Sequence, residues 1–423
     1  MKILCIGLGK LGLIFSFILA SKNNFIYGYD VNTTIEEDVK KNKKNTEPNL
    51  NYLIKKYSKN FAFEKDFKTS VTKTNCAFII VPTPSKKNKE FDNTYILSSL
   101  RQIGPHLRNK KKYVINITST VNPGSCRKFI EYLEKKYNVS HGKHFIITYN
   151  PHLIALGSIY NNVINSDVVL VGSNEKYGHQ FLKRLYKKIY GNKISKLQML
   201  NLTEAEIAKI AVNTYVTMKI SFTNAISQIA DKETNLDTSK ILNAIGKDSR
   251  IGNKYLSLGA LYSGPCFPRD NLNFSKYLVK KKLNCSIPKA IDSTNDDQLK
   301  RYINIFSEMN KLKNPSIGIC GLSYKKNTNL TTRSPGLLLY NYFKKRYQTI
   351  AHDEYKPDIK IDRFEKNIKD FVKKTNVIFV CYPNNLFKKL EKINYTKNTL
   401  IIDLWNFLKI NNKKVKLKTV GIS

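Results

Sequence analysis

A glycine-rich turn near the amino terminus constrains the fold of this chain more than any other feature. The apolar run Ile3 to Ile6 leads directly into Gly7-Leu8-Gly9-Lys10-Leu11-Gly12, and a second β-rich run ends at Asp30, eighteen positions after Gly12. Glycines at this spacing allow a tight strand-to-helix turn and the close approach of a pyrophosphate to the backbone. The pattern predicts a parallel α/β sheet whose first turn binds a dinucleotide.

The acidic residue at position 30 indicates which dinucleotide fits. A carboxylate at the end of the second strand accepts hydrogen bonds from a ribose 2′-OH but would repel a 2′-phosphate, so Asp30 favours NAD over NADP. The pyrophosphate would bind at the amino terminus of the helix that follows the turn. An ordinary glycine turn without a ligand is the alternative, and the order of strand, helix and carboxylate argues against it. The expected NAD-binding residues of the turn are Gly7, Gly9, Lys10, Leu11 and Gly12.

Strand-like runs indicate two α/β regions with a long helix between them. In the first half, β-rich runs at 3–6, 25–29, 77–81, 113–117, 145–148 and 168–171 alternate with amphipathic segments. That alternation is typical of a parallel sheet wrapped by helices. A capping box, Thr203 to Glu206, then predicts a helix that runs without Gly or Pro to about Asp231. Strand-like runs return at 316–320, 377–381 and 399–403, and no internal repeat is evident.

The charge of the chain is strongly basic, with 72 Lys and Arg against 32 Asp and Glu and a formal net charge of +40. Such a balance would attract any polyanionic or phosphorylated partner. The lysines, however, occur in short scattered runs such as 86–87, 110–112 and 280–282, which is typical of solvated faces. We therefore expect no nucleic-acid partner.

The cysteines and the apolar segments bear on the compartment. Seven cysteines without a CxxC pair argue against a disulfide framework or a zinc site and favour a reducing compartment. The apolar run at 3–20 imitates a signal peptide, but three glycines and Lys10 interrupt it. No other stretch is long enough to span a membrane. The sequence thus predicts a cytoplasmic protein without a bound metal or a membrane segment.

One cysteine lies in a loop rich in Gly and Pro: Tyr262-Ser263-Gly264-Pro265-Cys266-Phe267-Pro268-Arg269-Asp270. A thiol must be deprotonated to attack, and a nearby cation lowers its pKa, so Cys266 is better placed to react than Cys5 or Cys320 inside apolar strands. On spacing alone, a buried inert cysteine remains the default interpretation.

This loop resembles the catalytic loop of the UDP-glucose and GDP-mannose 6-dehydrogenase family, whose pattern is roughly Gly-Gly-x-Cys-Phe-Pro-Lys-Asp. Glu206, Lys209 and Asn213 fit the family's Glu-x-x-Lys-x-x-x-Asn pattern, and a spacing of four puts the last two on one helix face. Further motifs that match are Val81-Pro82-Thr83-Pro84-Ser85 with Asp92 downstream, Ser119 to Gly124, Asp248 to Leu256 and Gly321 to Lys325. The resemblance covers nearly the whole chain.

The resemblance implies that a nucleotide sugar, most of all UDP-glucose, is oxidised twice at C6 by NAD, giving a uronic acid for polysaccharide biosynthesis. Cys266 would add to the intermediate aldehyde, and the thioester formed by the second oxidation would be hydrolysed. Lys209 would stabilise the oxyanion, and Asp270 would assist proton transfer. Asn213 and Thr120 would position the reacting oxygen or a water.

The same resemblance implies further binding residues and a domain plan. Additional cofactor-binding residues would be Pro82, Thr83, Thr120 and Arg333, and the substrate site would hold Lys209, Asn213, Arg250, Tyr255, Gly259, Gly264 and Lys325. Arg250 would reach the nucleotide sugar of a neighbouring subunit in a homodimer or higher homo-oligomer. Lys219 and Asn224 would shape the sugar pocket. For Lys219, the alternative is a surface cation without a role in binding. The domains would be residues 1–198, an N-terminal Rossmann-type doubly wound sheet that binds NAD; 199–305, a central long-helix domain for dimerisation with the cysteine loop; and 306–423, a C-terminal α/β domain that binds the nucleotide sugar.

In the cysteine loop, Ser263 replaces a glycine of the family pattern and Arg269 replaces its lysine, and three further positions depart from the pattern. The glutamate that acts as base in thioester hydrolysis, in Asn-Pro-Glu-Phe-Leu-x-Glu-Gly, has no carboxylate counterpart in Asn150 to Gly157. His152 stands at its first glutamate, where a neutral imidazole either activates water near pH 7 or merely packs. Arg333 is displaced by one position and Trp405 replaces an arginine, which leaves open a substrate other than UDP-glucose.

Three hypotheses follow. The first is a complete dehydrogenase that reduces two NAD per sugar. The second keeps the same site but stops at an aldehyde or a long-lived thioester, because the glutamate base is absent. The third is a basic binding protein that keeps the fold without catalysis, and the retained set around Cys266 argues against it.

Overall fold

The apolar runs of the sequence form the strands of two sheets, one in each half of the chain. The structure is a computed structural model that describes residues 1–41, 43, 47–86, 88 and 90–423. The chain divides into two compact units, Met1–Ala211 and Val212–Ser423.

Eight strands form the sheet of the first unit, in the order β3-β2-β1-β4-β5-β6-β7-β8. They are β1 (Lys2–Ile6), β2 (Phe25–Tyr29), β3 (Phe61–Phe63), β4 (Cys76–Ile79), β5 (Tyr113–Ile117), β6 (Phe145–Tyr149), β7 (Val169–Gly172) and β8 (Leu197–Leu200). Neighbours pair in parallel, apart from the antiparallel pair of β6 and β7. The first six strands follow the order of a dinucleotide-binding fold, which reverses direction between β1 and β4.

Helices surround this sheet. They are α1 (Lys10–Ala20), α2 (Thr34–Lys40), α3 (Leu50–Tyr57), α4 (Phe67–Lys73), α5 (Thr94–Ile103), α6 (Ser125–Tyr137), α7 (Ile159–Ile164), α8 (Lys176–Tyr190) and the start of α9 (Leu202–Gln228). Every residue of β4, β5 and β6 is buried, as expected for strands with helices on both faces. Alternate strand residues accordingly enter two separate cores, one around Phe15 and one around Phe129.

The long helix α9 begins with a different capping box from the predicted one. Asn201 Oδ1 accepts from Glu204 N at 2.9 Å, and Glu204 Oε2 accepts from Asn201 N at 2.7 Å. The predicted box of Thr203 and Glu206 is therefore wrong, because the Glu206 carboxylate binds elsewhere. The helix ends at Gln228, where a 3₁₀ turn, Ile229–Asp231, replaces its predicted last residues.

Five parallel strands form the sheet of the second unit, in the order β10-β9-β11-β12-β13. They are β9 (Ile317–Cys320), β10 (Thr349–His352), β11 (Val377–Val380), β12 (Thr399–Asp403) and β13 (Val415–Thr419). The helices are the remainder of α9 with α10 (Thr238–Gly246), α11 (Phe267–Lys280), α12 (Ser286–Met309), α13 (Pro335–Phe343) and α14 (Ile368–Lys374). This is the other common doubly wound order, which reverses between β9 and β11.

The predicted fold class is confirmed: a Rossmann-type sheet, a long central helix and a second α/β sheet. The domain boundaries at 198 and 305 stay predictions. Short 3₁₀ helices also lie at Ser58–Asn60, Gly104–His106, Gly191–Lys196 and Asn385–Lys392. Within the part of the chain that the structure describes, no helix is both long and apolar enough to cross a membrane.

Candidate active site

The first glycine turn has the shape that the sequence predicts. Gly7 has a φ of +90°, and a β-carbon at Gly12 would come within 1.8 Å of Gly7 O, so both positions need glycine. No described atom lies within 4 Å of a β-carbon built at Gly9. Gly9 and Lys10 are exposed at the start of α1, which leaves space for a pyrophosphate at the helix amino terminus.

Asp30 closes this turn and faces a cavity. Its Oδ2 accepts from Leu8 N at 2.6 Å and its Oδ1 from Asn32 N at 2.8 Å. The cavity beside it is also lined by Glu36 and Glu64. Lys65 lines it too, with its Nζ 4.0 Å from Glu36 Oε2. The carboxylate of Asp30 suits the hydroxyls of an NAD ribose and would repel a 2′-phosphate. The residues present therefore fit NAD.

The other expected cofactor-binding residues differ in exposure. Thr83 is buried, Leu11 and Thr120 are half-buried, and Pro82 is exposed. Arg333, in the second unit, is exposed with a φ of +50°, and its Nη2 lies 3.4 Å from Asp296 Oδ1. The structure describes all of these positions, and their roles toward NAD stay predictions.

A second turn with the same geometry lies in the second unit. Gly321 has a φ of +100°, and a β-carbon at Gly336 would come within 1.9 Å of Gly321 O. Asp353 Oδ2 accepts from Leu322 N and Ser323 N, each at 2.7 Å, much as Asp30 accepts from Leu8. The two glycines are fifteen positions apart here and five in the first turn, so the sequence shows no repeat. This turn follows β9, at the strand reversal where such sheets bind nucleotides.

Cys266 lies directly before α11. It is exposed, whereas Cys285 is half-buried and the other five cysteines are buried. Burial raises the pKa of the Cys5 thiol to about 12. The amino-terminal end of a helix instead favours a thiolate, and Cys266 O accepts from Asp270 N at 2.8 Å in the first helical turn. Cys266 is therefore the cysteine best placed to act as a nucleophile.

A buried hydrogen bond connects α9 to α11. Asn213 Nδ2 donates to Asp270 Oδ2 at 2.6 Å, and the two residues are only 8% and 0% exposed. Arg269 Nε lies 3.4 Å from the other oxygen of Asp270. Lys209 is 6% exposed, one turn before Asn213 on α9. The helix thus presents a buried ammonium and a buried amide in succession.

Glu206 has a role that the sequence did not reveal. Its buried carboxylate accepts from Gly124 N and, at 2.7 Å, from Cys126 N at the start of α6. Burial raises the pKa of this carboxyl, although hydrogen bonds from the backbone at the start of α6 oppose the shift. The bond joins α9, one turn before Lys209, to the segment that follows Thr120. The available signal was the position of Glu206 in the motif with Lys209 and Asn213.

His152 is half-buried and close to Lys209. Its ring packs edge-on against Phe15 of α1, with the centroids 4.5 Å apart. Nε2 is buried and has no hydrogen-bond partner among the described residues. Burial, and then the charge of Lys209, lower the pKa of His152 to about 4, so the ring is neutral at pH 7. Five residues further on, Gly157 N donates to the buried carboxylate of Glu47, a second group that the sequence did not reveal.

Arg250 and Tyr255, two of the residues expected around the substrate, lie in one loop of the second unit. Arg250 is exposed and forms a fork with Asp248, with an Nη2–Oδ2 distance of 2.6 Å. Tyr255 is exposed with a φ of +65°. Lys219 Nζ donates to two backbone carbonyls, of Ile251 and Gly252, each at 3.0 Å. These bonds brace the loop that carries Arg250.

The remaining predicted substrate residues lie against aromatic rings. A side chain at Gly259 would collide with Trp405, and one at Gly264 with Tyr324. Lys325 Nζ lies 5.6 Å from the centroid of the Tyr324 ring. Asn224 is almost fully buried, and its Nδ2 has no hydrogen-bond partner among the described residues.

Sequence models of the UDP-glucose/GDP-mannose dehydrogenase family match most of the chain. The NAD-binding domain of the family matches residues 1–190, its central domain 203–297 and its UDP-binding domain 318–410. A UDP-glucose 6-dehydrogenase of Rickettsia prowazekii (strain Madrid E) is 28% identical over 434 residues, which cover 96% of this chain and 96% of that protein.

Two solved structures share the fold. A UDP-glucose dehydrogenase from Pyrobaculum islandicum superposes with a TM-score of 0.88 at 23% identity, covering 100% of this chain and 98% of that one. A UDP-D-ManNAc dehydrogenase from Pyrococcus horikoshii gives 0.84 at 19% identity, covering 100% and 99%. The predicted family and the predicted NAD cofactor are confirmed. Because the three family domains match in order along the chain, the protein belongs to the UDP-glucose/GDP-mannose dehydrogenase family and is an NAD-dependent oxidoreductase.

Proposed function

We propose that this protein oxidises C6 of a nucleotide sugar, with UDP-glucose as the first candidate, to a carboxylate through a covalent intermediate on Cys266. The observation that carries this proposal is the buried 2.6 Å hydrogen bond between Asn213 and Asp270. It joins the helix that bears Lys209 to the first turn of the helix that Cys266 precedes. Nucleophile, ammonium, amide and carboxylate thereby belong to two connected helices.

Each residue of this set has a definable task. NAD, when bound, accepts a hydride from the sugar carbon in each of two oxidations. Between them, the Cys266 thiolate forms a C–S bond with the aldehyde carbon, and the ammonium of Lys209 stabilises the negative oxygen. Asn213 donates a hydrogen bond to hold Asp270 in place, and Asp270 accepts or returns the proton of the reacting oxygen. Loss of the second hydride leaves a thioester, which water cleaves to the carboxylate and the free thiol.

The base for that last step is the point on which two outcomes diverge. The buried, unpartnered Nε2 of His152 supports a neutral imidazole that can take a proton from water. A pKa of about 4 makes this imidazole a much weaker base than an ordinary histidine. This weakness favours a second candidate function, in which the thioester persists and limits turnover.

Counting the NADH formed per sugar separates the candidates. We expect two NADH per UDP-glucose from the complete dehydrogenase, with UDP-N-acetylhexosamines and GDP-mannose as the other sugars of the panel. Slow hydrolysis instead gives a burst of two NADH per Cys266 and an intact mass that includes the sugar acyl group. His152→Glu, which supplies the carboxylate of the family pattern, should then speed hydrolysis of the thioester and remove the burst. His152→Gln should slow hydrolysis further, so that the sugar stays longer on Cys266. The proposal would be refuted if none of these sugars gave either turnover or an adduct.

We also propose a homodimer that forms through α9. Val212, Tyr215 and Phe222 recur on this helix at helical spacing and are 36%, 56% and 49% exposed. Ile229, in the 3₁₀ turn directly after the helix, is 42% exposed. An apolar stripe of this kind is typical of a subunit interface. Light scattering should give twice the chain mass, and Phe222→Asp should give the monomer, while Tyr95→Asp leaves the mass unchanged.

The need to keep Cys266 reduced supports the cytoplasm as the compartment, and a uronic acid product supports a role in polysaccharide biosynthesis.

A further inference from the structure

The segment that leads to Cys266 lies directly against two aromatic rings. A β-carbon built at Gly259 would come within 2.7 Å of Trp405 Cζ3, and one built at Gly264 within 2.6 Å of Tyr324 Cδ2. Carbon atoms in proteins do not approach each other so closely. At both positions, therefore, an aromatic ring occupies the space that a side chain would need.

Trp405 is held at both ends, so its ring forms a fixed surface. Its backbone N donates to Asp403 Oδ1 at 2.9 Å, and its indole Nε1 donates to Cys381 O at 2.8 Å. Asp403 is fully buried, and its other oxygen accepts from Phe407 N and Leu408 N at 2.6 Å and 2.8 Å. The ends of β11 and β12 thus fix the indole, and the glycine segment lies against it.

Two further attachments complete the support of this segment. Gly264, with a φ of +85°, donates from its N to Thr332 O at 2.9 Å beside the Tyr324 ring. Between the two glycines, Tyr262 N donates to Asn295 Oδ1 at 2.7 Å, and Asn295 Nδ2 donates to Tyr262 O at 3.2 Å. The segment 259–264 is therefore attached at three points before the chain reaches Cys266.

We infer that Trp405 and Tyr324 are positioning residues for Cys266: their rings form the surface that shapes the segment 259–264 and thereby sets the cysteine at the start of α11. The inference rests on the proposed function only in taking Cys266 as the nucleophile. Neither ring has to contact the substrate. Trp405 is also the only tryptophan of the chain, so tryptophan fluorescence reports on the surroundings of this one ring.

The test compares the full-length protein with Trp405→Ala, Gly259→Ala and the double variant. The readout is the rate at which iodoacetamide alkylates Cys266, followed by peptide mass spectrometry without any substrate. Because Cys266 is already exposed, a displaced loop mainly loses the helix terminus that favours the thiolate, so we expect each single variant to react at least threefold more slowly. With substrates, kcat should fall about tenfold or more while the KM for NAD is unchanged.

If Gly259→Ala and Trp405→Ala act through the contact between the two residues, their effects on the alkylation rate should not add. Gly259→Ala should have little effect once Trp405 is alanine, because the ring that it collides with is gone. The matched control is Tyr347→Ala, which removes another ring of the same apolar core, packed against Phe306 and Phe343. Gly259→Ala should keep its full effect in that background, and Tyr347→Ala alone should leave the alkylation rate unchanged.

Wild-type alkylation rates in both single variants, or effects that simply add in the double variant, would overturn the inference. If Trp405→Ala does not fold, Trp405→Phe keeps a smaller ring against Gly259, and the same coupling with Gly259→Ala decides the question. A wild-type protein that oxidises no sugar would refute the proposed function, whereas the alkylation measurements would still decide whether the rings position Cys266.

Discussion

We expect His152→Gln to reduce the pH dependence of stability that the native protein shows between about pH 7 and pH 5. Burial, together with the nearby charge of Lys209, lowers the pKa of His152 from 6.5 to about 4. The folded protein therefore resists protonation of a ring that the unfolded chain protonates readily. The free energy of unfolding is therefore highest above pH 6.5, falls as the pH drops below 6.5, and has lost the whole contribution of His152 below about pH 4.

The size of the effect follows from the two pKa values. One pKa unit is worth about 1.36 kcal/mol, so the difference between 6.5 and about 4 amounts to about 3.4 kcal/mol below pH 4. At pH 5 the loss is about 2 kcal/mol, because only the unfolded chain is largely protonated there. Since His152 keeps part of its surface exposed, both values are upper limits.

Two measurements check this prediction. Histidine-selective NMR follows the titration of each of the six histidines, and His152→Gln identifies the signal that should stay neutral to below pH 5. Urea unfolding at pH 7.5 and pH 5 should show a smaller loss of stability in His152→Gln than in the native protein. His106→Gln is the matched control. Equal losses in all three proteins, with a His152 signal that titrates near pH 6.5, would refute the reasoning.

Four further substitutions test the rest of the site. Cys266→Ala should lower turnover by about a thousandfold or more without changing NAD affinity, as measured by steady-state kinetics and calorimetry. Gly12→Ala, whose methyl group would collide with Gly7 O, should lower both the melting temperature and NAD affinity. Gly9→Ala should lower NAD affinity alone, because no described atom lies near its methyl group. Equal melting temperatures of the two variants would contradict this prediction. Gly336→Ala should weaken UDP binding at least about tenfold while NAD binding stays unchanged. Weaker NAD binding with unchanged UDP binding would show that the second turn does not bind the nucleotide sugar.

The sequence predicted the interior of both sheets and missed all four edges. The strands β3, β8, β10 and β13 had no counterpart among the predicted runs, and each lies at an end of its sheet. Central strands of a parallel sheet are buried on both faces and form continuous apolar runs, whereas β3, β8 and β13 are only partly buried. The edge strand β10 is buried, but Thr349 and His352 at its ends shorten its apolar run. The alternation of valine, leucine and threonine with two lysines in β13 shows why the apolar signal was too weak there.

The candidate site was predictable where a local motif carried the signal. The turn from Gly7 to Gly12 needed only its spacing, since strand, turn and helix are consecutive in the chain. The turn at Gly321 was not predictable in this way, because a longer loop separates its two glycines. The bonds from Glu206 to the start of α6 and the contact of Trp405 with Gly259 join residues eighty or more positions apart. No spacing rule anticipates contacts of that kind.

Glu206 has a mechanical consequence for the first unit. Its carboxylate holds Gly124 N and Cys126 N, so the loop after Thr120 and the part of α9 that bears Lys209 are joined through one buried side chain. Breaking this joint would leave two backbone donors and a carboxylate unsatisfied in the interior, which costs several kcal/mol. Loop and helix should therefore move as one rigid body. A cofactor that stiffens the loop would also reduce the motion of the amine of Lys209, without any separate element to couple the two.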